Sequence, residues 1–97
     1  MIIVSGSVRI RPEARDEATQ AARTMVEATR AEAGCRTYRF SVDMADPTLV
    51  YLYEEWESAE ALERHFATPH MGAFQQALPA LLAGPVSIDR YEATAAR

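Results

Sequence analysis

The chain has 97 residues, 48% of them hydrophobic and 25% charged, with a formal net charge of −4; this predicts one domain over 1–97 with a single modest core and a dispensable tail at 94–97. The acidic balance and the absence of lysine argue against a nucleic-acid-binding protein, because phosphate binding requires a basic surface. Cys35 is the only cysteine and the N-terminal run MIIVSGSVRI is too short and polar for a signal or membrane segment, so we predict a cytoplasmic protein without an intrachain disulfide and without a membrane contact.

The first two predicted elements are a strand and a long helix. Residues 2–10 alternate in polarity, which predicts a strand whose apolar face carries Ile2, Val4, Val8 and Ile10. Pro12 suits the first position of a helix, and this helix is predicted to continue to a stop at Gly34. On its solvent-facing side, Arg23 and Glu27 are four residues apart, which predicts an ion pair.

Two further strands follow, and the residues from Asp43 to Pro47 between them are typical of a turn. In the first of these strands, one face carries Tyr38, Phe40 and Val42. In the second, one face carries Val50, Leu52, Glu54 and Trp56, and the other face carries Leu49, Tyr51 and Tyr53. The second strand is therefore apolar on both faces.

A pair of helices and a last strand complete the chain. Ser58 is a good N-cap for a helix that runs to about Ala67, and Thr68 with Pro69 can start the next one. This second helix has Met71, Phe74 and Leu78 along one side. Pro79 is predicted to break or kink it. The segment 86–92 is predicted to be the last strand.

The order strand, helix, strand, strand, helix pair, strand is the split βαβ pattern of the ferredoxin-like fold, in the α+β class. Such a domain has an antiparallel sheet with helices on one side only. Leu49, Tyr51 and Tyr53 would then lie on the uncovered side. A large apolar patch on a small domain is typical of an interface, so we predict a homodimer joined sheet to sheet.

The candidate site lies where the third strand ends. Glu54 and Trp56 share a face there, and both histidines, His65 and His70, follow within the next helical turns. An indole by itself is more typical of a core, but a carboxylate on its face must be buried with a partner, reach the rim or line a cavity. We therefore predict an apolar small-molecule cavity in which one imidazole is a general base. The other histidine could be only a polar cap near Thr68.

Other chemistries are less well supported by the sequence. The two histidines are five residues apart and no further ligand cluster accompanies them, so no metal site is predicted. Cys35 has no histidine or positive field close to it in the sequence and is interpreted as a small buried thiol. The tyrosines are interpreted as core or interface residues, one of which could orient a phenolic substrate.

Several runs of residues resemble the antibiotic biosynthesis monooxygenase domain family: GCRTYRF, the turn from Asp43 to Pro47, YEEWES and HFATPHMGAF. The resemblance is to short, single-domain, quinol monooxygenase-like members and covers nearly the whole chain. It implies a dimeric α+β barrel. It also implies oxidation of a quinol, an anthrone or a polycyclic phenol by O₂ without metal, flavin or haem, because the substrate itself supplies the electrons.

The resemblance also implies roles for individual residues. His65 or His70 would be the base, and Glu54 would hold a histidine or a substrate hydroxyl. The predicted substrate contacts are Trp56, Tyr53, Phe66 and Phe74. No cofactor is predicted, and the predicted partners are a small aromatic substrate, O₂ and a second copy of the chain.

Three alternatives remain at this stage. Dimeric barrels of this type can bind small aromatic ligands without catalysis. A related branch is similar to enzymes that isomerise a phosphorylated signalling sugar derivative, for which Arg36 or Arg39 could supply the positive charge. Haem-degrading relatives are a poor match, because they carry an Asn on the first strand and an axial His on the later helix. This chain instead has Ser5, Gly6, Ser7 and Gln75, Gln76.

Overall fold

A computed structural model of the chain describes residues 1–96 and contains four strands and three α-helices. In chain order these are β1 Ile2–Arg9, α1 Arg15–Arg30, β2 Cys35–Val42, β3 Leu49–Trp56, α2 Ala59–Phe66, α3 Pro69–Leu81 and β4 Ser87–Glu92. A 3₁₀ turn at Pro12–Ala14 precedes α1. In the predicted tail, residues 94–96 have no regular secondary structure, and Arg97 lies outside the described residues.

The four strands form one sheet in the order β2-β3-β1-β4, and every neighbouring pair is antiparallel. This is the α+β, split βαβ arrangement that the sequence predicted. Trp56 pairs with Ile2 on one side and with Cys35 on the other. The start of β2 and the end of β3 therefore lie at the same end of the sheet, and α2 folds back over that end.

The apolar core is divided into two clusters along α1. The larger one lies at the end of the sheet where β3 stops and contains Ile2, Val4, Met25, Tyr38, Trp56, Ala61 and Leu62. The smaller one lies at the opposite end and contains Ile10, Ala14 and Leu81. Between the clusters α1 presents the small side chains of Ala18 and Ala22, so the space between helix and sheet is not filled there.

The helix ends follow the local chemistry of the sequence. The hydroxyl of Ser58 accepts a hydrogen bond from the backbone N–H of Ala61 (3.2 Å), and Thr68 caps α3 in the same way through Met71 (3.3 Å). Helix α3 continues through Pro79 to Leu81, where the sequence predicted a break or a kink. Pro79 has no N–H to donate to the preceding turn, so the helix lacks one hydrogen bond there but does not end.

The sheet face away from the helices carries apolar side chains at the described positions. Tyr51 is 41% exposed and Tyr91 51% exposed, while Ile3, Leu49 and Tyr53 are half-buried. The sheet-to-sheet homodimer predicted from this face stays a prediction. Within residues 1–96, no helix combines the length and the apolar character that crossing a membrane requires.

Candidate active site

Glu54 and Trp56 form a buried hydrogen-bonded pair at the end of β3. Trp56 is completely buried and Glu54 is 5% exposed. The indole Nε1 donates to Glu54 Oε1 over 2.8 Å. The sequence left three positions open for this carboxylate: buried with a partner, at the rim or lining a cavity. The structure shows it buried with a partner. Burial raises the pKa of Glu54 above its ordinary value, and the indole hydrogen bond opposes that rise.

The two histidines meet at a third residue, Glu32, which lies in the turn between α1 and β2. His65 Nδ1 and His70 Nε2 each lie 2.7 Å from the same oxygen, Glu32 Oε2. The side chains of His65, Glu32 and His70 are 1%, 13% and 21% exposed. Helices α2 and α3 therefore bring together two imidazoles on one carboxylate, and His70 is the imidazole that solvent reaches.

This contact fixes which ring nitrogens carry hydrogen. A carboxylate oxygen only accepts hydrogen bonds, so each nitrogen that faces an ionised Glu32 must carry a proton. The lone pair of a neutral His65 is then on Nε2, and that of a neutral His70 is on Nδ1. A carboxylate that holds an imidazole in one tautomer is the arrangement by which catalytic triads orient their base.

Sequence reasoning missed Glu32, and the sequence carries little signal for it. Glu32 follows the end of α1 and precedes β2, so neither the helical nor the strand periodicity assigns it to a face. It reaches the histidines because the chain turns at Gly34, which has a φ of 87°, a value that favours glycine. Only the pairing of Cys35 with Trp56 places this turn beneath α2.

Aromatic rings surround His65 on several sides. Its ring centroid lies 4.8 Å from that of Trp56 and 5.6 Å from that of Tyr38. Tyr38 is buried, and this burial, together with the charges of Glu54 and Glu32, raises the pKa of its phenol well above the ordinary value. The phenol of Tyr38 is therefore neutral at physiological pH. His65 is held in a rigid, largely apolar surrounding with Glu32 on one side.

An open groove of about 800 Å³ lies between the sheet, α1 and α3, within the range of small-molecule sites. Its apolar lining includes Val8, Val26, Phe40, Val50, Phe74 and Leu78. At the end nearest the histidines, the rings of Phe40 and Phe74 lie 5.9 Å apart, and Tyr38 packs edge-on against Phe40 at 5.6 Å. The rings of Phe40 and Tyr38 therefore lie between the groove and His65.

The predicted site residues fall into three groups. Glu54, Trp56 and both histidines converge at one end of the sheet, as predicted, and Phe74 lines the groove. Phe66 is 44% exposed and lies under the guanidinium of Arg90, 5.8 Å from its ring centroid. Tyr53 lies on the opposite face of the sheet, where its hydroxyl donates to Glu55 Oε2 (2.7 Å). Of the four predicted substrate contacts only Phe74 lines the groove; Trp56, Tyr53 and Phe66 do not, and neither do Glu54 and the two histidines, so these roles stay predictions.

The histidine cluster is also the group of side chains best placed to hold a metal ion. Glu32, His65 and His70 offer three ligand atoms that all lie within 4.8 Å of one another. From the sequence no metal site was expected, because the histidines are five residues apart and no further ligand cluster lies near them in the chain; the third potential ligand, Glu32, comes from a distant turn. Three protein ligands are what catalytic zinc sites use, but an ion would first have to replace both 2.7 Å hydrogen bonds.

Comparison with known proteins points to one family. Residues 1–77 match the family of antibiotic biosynthesis monooxygenases. The Synechocystis protein sll1783 is 33% identical over 94% of this chain, and this chain spans 62% of the length of that relative. The Escherichia coli protein named "Probable quinol monooxygenase YgiN" is 32% identical, over 80% of this chain and 85% of its own. A crystal structure from Deinococcus radiodurans, 30% identical, superposes with a TM-score of 0.92 and covers 100% of this chain and 96% of its own.

Proposed function

The chain belongs to the antibiotic biosynthesis monooxygenase family, and from this premise we propose that it is a cofactor-independent monooxygenase that oxidises a quinol, an anthrone or a related polyphenol with O₂. The observation that carries the proposal is the carboxylate-held pair of imidazoles next to an apolar groove of substrate size. The quinol monooxygenase name of the Escherichia coli relative supports the substrate class.

The chemistry requires little from the protein. A base removes a proton from an activated phenol, and the electron-rich anion that remains transfers an electron to O₂. The two radicals then combine into a C–O bond. With an anthrone, the reacting CH₂ carbon becomes a carbonyl that keeps one oxygen atom, and the second oxygen leaves as water with the two hydrogens. The protein contributes a base, the orientation of the substrate and a dry surrounding for the developing charge.

We assign the base to His70 and a positioning role to Glu32 and His65. His70 is 21% exposed, whereas His65 is almost fully buried and out of reach of a ligand. On α3, His70 lies one turn before Phe74, which lines the groove, so the imidazole is one helical turn away from that part of the lining, although neither histidine is itself a lining residue. Glu32 at 2.7 Å orients the imidazole and favours the positive charge that it gains with the proton.

Glu54 acts through Trp56 in this proposal. Its Oε1 accepts from the indole, and among the described residues it makes no hydrogen bond to either histidine. The indole packs on the ring of His65 with the ring centroids 4.8 Å apart. The buried pair of Glu54 and Trp56 therefore holds the indole in place against His65 and so supports the histidine cluster.

The test is O₂ uptake by metal-stripped protein with a panel of quinols, anthrones and polyphenols. Uptake above the autoxidation rate is expected, and His70→Ala should lower it by about 10² or more, the usual contribution of a general base. Gln76→Ala, at an exposed position of the same helix, is the matched control. Uptake that is absent across the panel, or unaffected by His70→Ala, contradicts the proposal. Activity that appears only after a metal is added would instead assign the cluster to metal binding.

Ligand binding without catalysis is the second candidate, because Phe40 and Phe74 separate the groove from His65. A protein that binds the same aromatic molecules but takes up no O₂ would establish it. The proposed compartment is the cytoplasm, which is supported by Cys35, a thiol that has no other cysteine in the sequence to pair with.

We also propose that two copies pair through the outer face of the sheet. The support is the row of apolar side chains that includes Leu49, Tyr51 and Tyr53 on β3. Light scattering should give about twice the 10.8 kDa of one chain. Tyr51→Lys places a charge in this row and should shift the protein to the monomer, whereas Gln76→Lys on α3 should not. A monomeric wild-type protein at tens of micromolar contradicts the pairing.

A further inference from the structure

The groove has a charge opposite to that of the chain. Three arginines of α1 line it, Arg15, Arg23 and Arg30, and Glu27 is the one carboxylate among its described lining residues. Arg39 lines it as well, but its guanidinium lies over the ring of Tyr53, 5.7 Å from the centroid, and so belongs to the outer face. A chain of net charge −4 therefore presents three guanidinium groups along this groove.

These arginines form no ion pair with a carboxylate of residues 1–96. The sequence predicted an ion pair between Arg23 and Glu27, and this prediction is wrong. In the ion pairs of residues 1–96 the basic partner is always Arg9, Arg90 or one of the two histidines. Arg30 donates from Nε to the backbone oxygen of Tyr38 (3.0 Å), which fixes that side chain at the edge of the groove. The three guanidinium groups are therefore available to an external anion.

The three arginines all come from α1, whereas the large apolar side chains of the lining come mainly from the sheet and α3. Along α1 the three arginines are spaced at about 12 and about 10 Å, given the helical rise per residue. The floor below them consists of Val50 and Phe40 from the sheet, with Phe74 from α3 as the far wall. A flat apolar ring on this floor would bring a negatively charged substituent within reach of a guanidinium of α1.

We propose that the groove binds an aromatic molecule that carries an anionic substituent, a carboxylate or a phosphate, with its ring on the apolar floor and its anion on the α1 arginines. Guanidinium groups recognise both anions through paired hydrogen bonds. That this ligand is the substrate rests on the proposed function, and the quinol that is oxidised then carries the anionic substituent.

Binding is measured by calorimetry with 1-naphthoate, 1-naphthyl phosphate and the uncharged methyl 1-naphthoate. At low salt at least one of the anions should bind about 1.5- to 5-fold more tightly than the ester, the range expected for an exposed ion pair. This advantage should shrink in 0.5 M NaCl, because salt screens exposed charges. The tighter of the two anions identifies the substituent. Equal binding of all three probes, or no binding of any, overturns the inference.

Charge-removing variants locate the effect. Arg15→Gln, Arg23→Gln and Arg30→Gln, singly and together, should progressively remove the advantage of the anion and leave the affinity for the ester unchanged. Arg64→Gln on α2 makes the same change of charge outside the groove and is the matched control. All four arginines are exposed, so the variants should fold; Arg30→Gln also loses the hydrogen bond to the backbone oxygen of Tyr38, and urea unfolding of each variant checks that its fold is kept. An advantage that survives in the triple variant overturns the inference.

A separate readout distinguishes this inference from the proposed function. O₂ uptake is compared for 1,4-dihydroxy-2-naphthoate and the uncharged 1,4-dihydroxynaphthalene. Anion-selective binding without any O₂ uptake removes the oxygenase proposal and keeps the anion site. Uptake with equal efficiency for both quinols, and without selectivity in binding, removes the anion site and keeps the oxygenase.

Discussion

Replacing Glu32 with alanine removes the carboxylate that both histidines contact, and its effect on stability can be worked from their burial. His65 is 1% exposed, so its Nδ1–H would lose its partner without gaining water, which costs about 1–3 kcal/mol. His70 is 21% exposed and can turn to water, so its loss is about 0.5–1 kcal/mol. Glu32→Ala should therefore lower the free energy of unfolding by about 1.5–4 kcal/mol, which a domain of this size can tolerate.

Turnover should fall by a larger factor than stability alone explains. Without Glu32 neither imidazole is held in one tautomer. Part of the rate enhancement that a general base provides, about 10²- to 10⁴-fold, should therefore be lost. Glu32→Gln keeps an oxygen that can accept from one ring but removes the charge. Its stability should therefore lie between wild type and Glu32→Ala, while its turnover should be close to that of Glu32→Ala.

Urea unfolding measures the stability and O₂ uptake measures the turnover, each compared with Glu57→Ala, an exposed carboxylate at the end of β3. A double-mutant cycle of Glu32→Ala with His70→Ala isolates the bond between these two side chains. If Glu32→Ala has wild-type stability, the shared carboxylate does not hold the cluster. If it is destabilised but has wild-type turnover, Glu32 is structural and the positioning role is refuted.

Three further predictions concern residues around the same end of the sheet. Burial raises the pKa of Glu54 in the folded state, so the protonated carboxyl contributes stability that is fully present below its unfolded pKa near 4.5. This contribution is lost as the pH rises through the folded pKa. Glu54→Gln, whose amide oxygen still accepts from the indole, should therefore gain stability relative to wild type between pH 4.5 and 7; urea unfolding that shows a pH-independent difference would contradict this. Gly34→Ala should cost about 2–4 kcal/mol, because its φ is 87° and the new Cβ would lie 2.5 Å from a neighbouring methyl group, whereas Gly72→Ala, with open space in α3, should be neutral or stabilising by about 0.5–1 kcal/mol. Equal thermal stability of the two variants would refute that reasoning. Burial and two neighbouring carboxylates raise the pKa of the Cys35 thiol, so iodoacetamide should alkylate it more slowly at pH 8 than it alkylates free cysteine, and an equal rate would count against that environment.

The sequence by itself determined the elements and their order. Alternation along β1 and β3, the caps at Ser58 and Thr68, and the glycine at position 34 are local signals, since each depends only on neighbours along the chain. The split βαβ order then follows, because so few connections between such elements are possible. The convergence of Glu54 with both histidines could be predicted as well, since the strand face and the helix that returns over it are fixed by the same periodicities.

Only the tertiary structure decided which side chains of the site contact one another. Glu32 has no periodicity to reveal it, and it reaches both imidazoles only because β2 pairs with the end of β3 and carries the preceding turn beneath α2. The position of the groove could also not be predicted from the sequence. It depends on the gap that small side chains leave between α1 and the sheet, and on Phe40 and Phe74 meeting across it. Local pattern specifies which face a side chain takes, whereas contacts between distant segments depend on the packing of the whole domain.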